Sequence, residues 1–247
     1  MGLVMLDAPP LAEPITPQPV TPGVLAALDA PRPFFGENRT AALIDDLARQ
    51  GWAHAADALP AELTAALLTR ARVLSEIDAL AAGKIGRGDG EMRALSIRRA
   101  RIAWMDGTHP NEAAFLEGAE ALRRAINEAL FAGLFEFEAH FAVYPSGGHY
   151  ARHLDAFAGA RRSRVVSLVA WLNPDWRDGD GGELELWGSD TETGGPARTF
   201  APRGGDLLLM MSETIPHAVR ETAKPRYGIA GWFRVNPGVG GVLDPAA

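Results

Sequence analysis

Apolar residues recur at helical spacing in the first half of the chain and at strand spacing in the second. From Arg39, Leu43, Ile44 and Leu47 fall on one helical face, and Gly51 stands where such a helix would stop. A second helix is predicted from about Pro60, a favourable first-turn residue, through Leu63, Leu67, Leu74 and Ile77 to Gly83. Ile97 to Met105 is predicted as a strand ending at an Asp106-Gly107 turn. A third helix spans roughly Glu112 to Leu130, with Phe115, Ala119, Leu122 and Ile126 on its apolar face.

Beyond Leu130 the period shortens to two. Phe135, Phe137, Ala139, Phe141 and Val143 alternate with Glu136, Glu138, His140, Ala142 and Tyr144. Val165 to Leu172 is a continuous apolar run of the length of a fully buried strand. Glu183 to Trp187, Leu207 to Met211 and Tyr227 to Val235 are further strands, with glycine-rich turn signals between them at residues 178–182, 194–196 and 202–205. Helices first and short strands afterwards predict an α+β fold with a two-sheet β core. There is no internal repeat.

Composition adds exclusions. The chain has 247 residues, 47% apolar and 22% charged, enough for one large domain with a real core. A formal net charge of −7 gives no overall attraction to nucleic acid or to an anionic membrane. Cysteine is absent, which rules out disulfides, thiolate metal sites and cysteine nucleophiles and suits a reducing compartment. No basic residue precedes Arg32 and no long apolar run occurs, so neither a signal peptide nor a membrane helix is expected and a cytoplasmic location is. Residues 1–33 hold eight prolines and are expected to be an extended or disordered leader. The expected plan is therefore a single domain over 34–247, with helical support over 34–134 and a β core over 135–238. Gly83 to Glu91 is glycine-rich and charged but lacks the Gly-Lys-Ser/Thr ending of a phosphate loop, so it is expected to be a plain loop.

The sharpest chemical signal is Tyr150-Ala151-Arg152-His153-Leu154-Asp155. On a strand, positions i and i+2 share a face, so His153 and Asp155 can enter one cavity while Leu154 packs behind them. His217, in Ile215-Pro216-His217-Ala218-Val219, follows an apolar strand and can complete a set of two histidines and one carboxylate. Such a set occupies one face of an octahedral ion and leaves three positions open, which suits Fe(II); zinc also accepts these ligands. Arg226 lies nine positions after His217 and would share a strand face with Gly228, Ala230 and Trp232. A guanidinium facing inward needs an anion, and its planar fork matches a carboxylate. The distal carboxylate of 2-oxoglutarate is one candidate, and an internal salt bridge to Asp206 or Glu183 is the other.

Taken in order, these motifs resemble the catalytic domain of the prolyl 4-hydroxylase superfamily, nearest to the hypoxia-type prolyl hydroxylases and their bacterial relatives. The matching pieces are Tyr144-Pro145 with glycines and Tyr150 ahead of His153-Leu154-Asp155, then Trp171-Leu172-Asn173-Pro174-Asp175-Trp176 and Gly181-Gly182-Glu183-Leu184. Residues 202–207, 216–219 and 226–233 follow, and residues 97–104 match the strand ahead of the family's long helix. The resemblance covers roughly the last 150 residues, an extent specific only when the motifs are taken together.

It implies a double-stranded β-helix, jelly-roll or cupin-like, buttressed by the N-terminal helices. His153, Asp155 and His217 would ligate Fe(II), and Arg226 would hold 2-oxoglutarate, with Tyr144 hydrogen-bonding nearby. Trp171 stands where the animal enzymes carry a tyrosine that contacts the same carboxylate, and indole offers one N–H and no hydroxyl. Tyr150, Ala230 and Trp232 are expected to line the cavity. O₂ would be the second co-substrate, ascorbate a reductant, and succinate and CO₂ the by-products. Asp155 points to hydroxylation, because a halogenase of this superfamily has a small residue there.

A prolyl residue in a protein or peptide is the implied substrate, and the Gly83 to Glu91 loop would then act as a lid. The same chemistry on a free amino acid, small metabolite or nucleobase is the alternative, and a non-catalytic metal-binding β-barrel is a third reading. For a nucleobase, Arg98, Arg99 and Arg101 or Arg161, Arg162 and Arg164 would have to form a groove; on an acidic chain they are read as solvated faces. His54 and His109 are expected at the surface. His149 falls in the turn before the triad, and His140 shares a strand face with Tyr144 near the cavity mouth; no role is assigned to either.

Overall fold

The computed structural model describes residues 33–82, 97–156, 163–188 and 195–236, all within one unit of the chain. The proline-rich leader, apart from Pro33, and the Gly83 to Glu91 stretch lie outside the described residues. Helix α1 (Glu37–Gln50) buries Leu43, Ile44 and Leu47 and stops at Gly51, whose φ of 80° is left-handed and whose N–H bonds the Leu47 carbonyl. Helix α2 (Ala61–Glu76) follows strand β1 (Trp52–Ala55) and Pro60. It stops well short of Gly83, because Asp78 turns left-handed (φ 55°) and the chain then re-enters as strand β2 (Ala81–Ala82). Helix α3 (Pro110–Leu130) is capped by His109, whose Nδ1 accepts from the Asn111 N–H at 3.3 Å. Its predicted apolar face is buried, Phe115, Ala119, Leu122 and Ile126 included. Gly118 sits against the ring of Phe34, where a Cβ would lie 2.2 Å from a ring carbon; this close approach pins the start of the domain to α3.

The strands form two antiparallel sheets. The larger has the order β1-β9-β6-β11-β4-β3-β2 and the smaller β5-β10-β7-β8. In the larger sheet, β4 (Glu136–Tyr144) and β6 (Arg164–Trp171) flank the nine-residue β11 (Arg226–Arg234). Strand β9 (Leu207–Met211) follows and β3 (Arg101–Trp104) lies toward the other edge. The smaller sheet comprises β5 (Tyr150–His153), β7 (Leu184–Leu186), β8 (Arg198–Phe200) and β10 (His217–Val219). This is a double-stranded β-helix with helices on one outer face.

The strands are buried on both faces where the sheets oppose each other. Phe141, Val143, Val166, Leu168 and Ala170 meet the helices in the main core. A second core, with Trp171, Leu184, Leu186, Leu208 and Met210, lies between the sheets. The predicted alternation of β4 into apolar and polar faces therefore holds in direction only: His140, Ala142 and Tyr144 are buried too, because they face the inside of the β-helix. Phe135 lies before β4 and is 49% exposed. The predicted strand at Ile97 to Met105 contracts to β3, and Arg98 instead bridges Tyr150 of the small sheet. Among the described residues no helix is long and apolar enough to cross a membrane.

Candidate metal centre

Strands β5 and β10 are neighbours in the small sheet, and their register sets His153 directly opposite His217. The ring centroids are 4.2 Å apart. Asp155 lies just beyond β5, so the i, i+2 strand geometry predicted for it does not apply. Its placement comes from the large sheet instead: Ser167 Oγ on β6 donates to Asp155 Oδ2 at 2.7 Å and bonds Ser212 at 2.8 Å. Asp155 Oδ1 lies 3.5 Å from His153 Nε2, and Oδ2 lies 3.6 Å from His217 Nε2. One ligand atom from each of the three side chains lies within 4.8 Å of the others. Leu154, expected to pack behind the pair, is 41% exposed beside the cavity.

Hydrogen bonds fix the histidine tautomers. His153 Nδ1 lies 2.8 Å from the Ala151 carbonyl and His217 Nδ1 lies 3.2 Å from the Ile215 carbonyl. A carbonyl only accepts, so each Nδ1 carries the proton and each Nε2 lone pair faces the cluster. Burial lowers the His217 pKa to about 4, partly opposed by Asp155, so the ring is neutral near pH 7. Burial would raise the Asp155 pKa, but His217, His153 and Ser167 outweigh it and hold the carboxyl well below the usual range. Two imidazoles and a carboxylate, each oriented by an outer hydrogen bond, form a donor set ready for a divalent ion.

The triad opens on a cavity of about 440 Å³ between the two sheets. Arg226 begins β11 opposite Tyr144 and is 2% exposed. Its Nε donates to the Gly182 carbonyl at 2.8 Å, its guanidinium carbon lies 5.0 Å from the Tyr144 ring centre, and Nη2 is buried without a partner. Gly182 permits this contact through a left-handed φ of 68°, and a Cβ there would lie 3.1 Å from Arg226 Cδ. Among the described residues no carboxylate forms an ion pair with Arg226. Asp206 is engaged by His54 and by the Asp57 N–H, while Glu183 lies 3.8 Å from Arg220. Burial pulls the Arg226 pKa down to about 10.

Tyr144, Tyr150, Ala230 and Trp232 all line the cavity. Tyr150 stacks on His153 with centroids 3.6 Å apart, Arg98 covers it at 4.9 Å, and burial raises its pKa to about 12. Trp171 is fully buried in the inter-sheet core rather than among the cavity-lining residues, and its indole N–H has no partner. Ser167 was missed in the sequence, although alternation with Trp171 places it on the inner face of β6. Arg98 and Arg164, read as solvated, belong to the cavity wall; Arg161 and Arg162 lie outside the described residues. His54, expected at the surface, sits in β1 with Nε2 3.2 Å from Asp206.

Residues 139–234 match the family profile described as the 2OG-Fe(II) oxygenase superfamily. A crystal structure of a Pseudomonas putida prolyl-4-hydroxylase is 37% identical, with a TM-score of 0.70 over 79% of this chain and 98% of that one. A Trichoplax adhaerens prolyl hydroxylase, solved with a hypoxia-inducible-factor peptide fragment, has the same fold at 23% identity (TM-score 0.71, 80% of this chain and 89% of that one). The prolyl 3,4-dihydroxylase OGFOD1 of Ostreococcus tauri is 35% identical over 101 residues, 37% of this chain. The match spans only 19% of that longer relative.

Proposed function

Because the chain belongs to the 2OG-Fe(II) oxygenase superfamily, we propose that it hydroxylates a prolyl residue of a protein or peptide, using Fe(II), 2-oxoglutarate and O₂. The observation that carries this is the pairing, on one cavity, of a two-histidine, one-carboxylate cluster with a buried arginine that forms no ion pair among the described residues. The first is a facial donor set that leaves coordination positions free, and the second is a carboxylate receptor. The likeness to the Pseudomonas putida prolyl-4-hydroxylase, which this chain covers almost entirely, supports the prolyl substrate.

When bound, Fe(II) with 2-oxoglutarate and O₂ supplies the oxidising power, releasing succinate and CO₂. The chain's own residues position the reactants. His153 and His217 would present Nε2, and Asp155 a carboxylate oxygen, with Ser167 restraining that carboxylate. Arg226 would bind the far carboxylate of 2-oxoglutarate, and Tyr144, 5.0 Å from it, would wall that end. Trp104 and Trp232 line the cavity with ring centroids 6.2 Å apart and would offer indole surface to the substrate.

The test has two stages. Anaerobic addition of Fe(II) and 2-oxoglutarate should give a weak visible charge-transfer band that His153→Ala abolishes. Admitting O₂ with proline-containing peptides should then yield succinate and a peptide gain of one oxygen. A band with no oxidised peptide would retain the oxygenase and reject the prolyl substrate.

A further inference from the structure

The substrate side of the cavity carries two polar atoms that the metal centre does not use. On β4, His140 lies two positions before Ala142 and four before Tyr144, on the same inner face. Its register partners are Ala230 of β11 and Trp104 of β3. The ring is packed edge-on to Trp104 at 5.0 Å and tilted against Trp232 at 5.4 Å. His140 is 1% exposed. Its Nδ1 lies 3.0 Å from the Phe141 carbonyl, so Nδ1 carries the proton and Nε2 is an acceptor. Burial, followed by the positive charge of Arg98, lowers its pKa to about 3, so the ring stays neutral at ordinary pH. Trp232 has the opposite need: its indole N–H is buried without a partner, while Arg164 covers its ring at 3.6 Å. One acceptor and one donor thus belong to neighbouring rings, 5.4 Å apart, that both line the cavity.

In an extended peptide, the N–H and C=O of one residue point to the same side, as they do toward a neighbouring strand. Proline has no N–H and cannot satisfy both atoms itself. Resting on the prolyl reading above, we infer that His140 Nε2 and the Trp232 N–H bind the backbone N–H and C=O of one extended residue flanking the target proline. His140 is then a substrate-selecting residue, and the enzyme reads main chain beside the proline as well as the ring itself. A buried acceptor left unpaired is costly, so removing that single N–H should weaken binding about tenfold.

Peptides in which one amide is replaced by an ester lose the N–H and keep the shape. Calorimetry on anaerobic protein loaded with Fe(II) and 2-oxoglutarate would compare a proline-centred heptapeptide with two esters, lacking the N–H before or after the proline. One ester should bind about tenfold more weakly to the wild type. His140→Met should erase the difference between amide and ester, and His140→Gln, which keeps an acceptor, should restore part of it. The nitrogen NMR signal of His140 Nε2 should move with the amide peptide and not with the discriminating ester. The esters probe the wild type, so the test does not depend on either variant folding. Equal affinity for all three peptides overturns this inference and leaves the prolyl reading standing. Failure to bind or oxidise any proline peptide overturns both.

Discussion

Replacing Arg226 with methionine should make the ligand-free protein more stable and its co-substrate binding much worse. Burial moves the guanidinium pKa from 12.5 to about 10, which corresponds to about 3 kcal/mol opposing the charged form in the folded state. The sign is that of a depressed pKa: this cost is fully present below about pH 10 and fades only as the group loses its proton. Methionine is of similar length and removes the cost. It also removes the bond from Nε to the Gly182 carbonyl, worth about 1 kcal/mol. The net gain of about 2 kcal/mol should raise the melting midpoint by roughly 4–8 °C for a chain of this size. Losing one partner of a buried charge pair should weaken 2-oxoglutarate at least about 30-fold. Differential scanning calorimetry of ligand-free protein and anaerobic titration with 2-oxoglutarate would measure the two effects. 2-Oxobutyrate, which lacks the far carboxylate, should bind both proteins alike. A lower midpoint together with undiminished 2-oxoglutarate affinity would refute the assignment of Arg226 as a carboxylate receptor under strain.

Ser167→Ala removes the 2.7 Å bond to Asp155 and should lower affinity for a divalent ion by about 10- to 100-fold; titration with Mn(II) under equal folding would check it, and unchanged affinity would count against Ser167. Burial lowers the pKa of both His217, to about 4, and His140, to about 3. The metal-free protein should therefore hold its melting midpoint above about pH 6.5 and lose stability as pH falls toward 4, as the unfolded histidines gain protons first. A midpoint flat down to pH 4 would contradict that. Gly118→Ala places a methyl 2.2 Å from the Phe34 ring and should cost about 1–3 kcal/mol, read as a lower denaturant midpoint with metal affinity unchanged.

The long elements were legible because each buries a stripe wide enough to impose a period, as Leu43, Ile44 and Leu47 do in α1 and Leu207 to Met211 do in β9. Leu184–Leu186 falls within the strand predicted over Glu183 to Trp187, but Arg198–Phe200 and His217–Val219 are too short for a period to emerge from composition. Their existence depends on pairing with distant partners. The structure brings the three expected triad residues together, yet not for the expected reason in every case. Asp155 meets the histidines because Ser167 and the backbone near Ser212 hold it, a long-range contact that local spacing does not encode. Arg226 was identifiable from the small residues beside it, Gly228 and Ala230, which leave its strand face open. Arg98 shows the converse. A cluster of arginines looks solvated until topology turns one of them inward over Tyr150.

The triad is divided between two walls. The histidines belong to the small sheet, whereas the carboxylate is sewn to the large one through Ser167, and Ala156 beside it donates to the Ser212 carbonyl. An ion held by all three would therefore act as a rivet across the seam, and withdrawing it would let the lesser wall breathe. Iron supply and mechanical integrity become one variable, so a starved molecule should be nicked by proteases first along the strands that carry the two imidazoles.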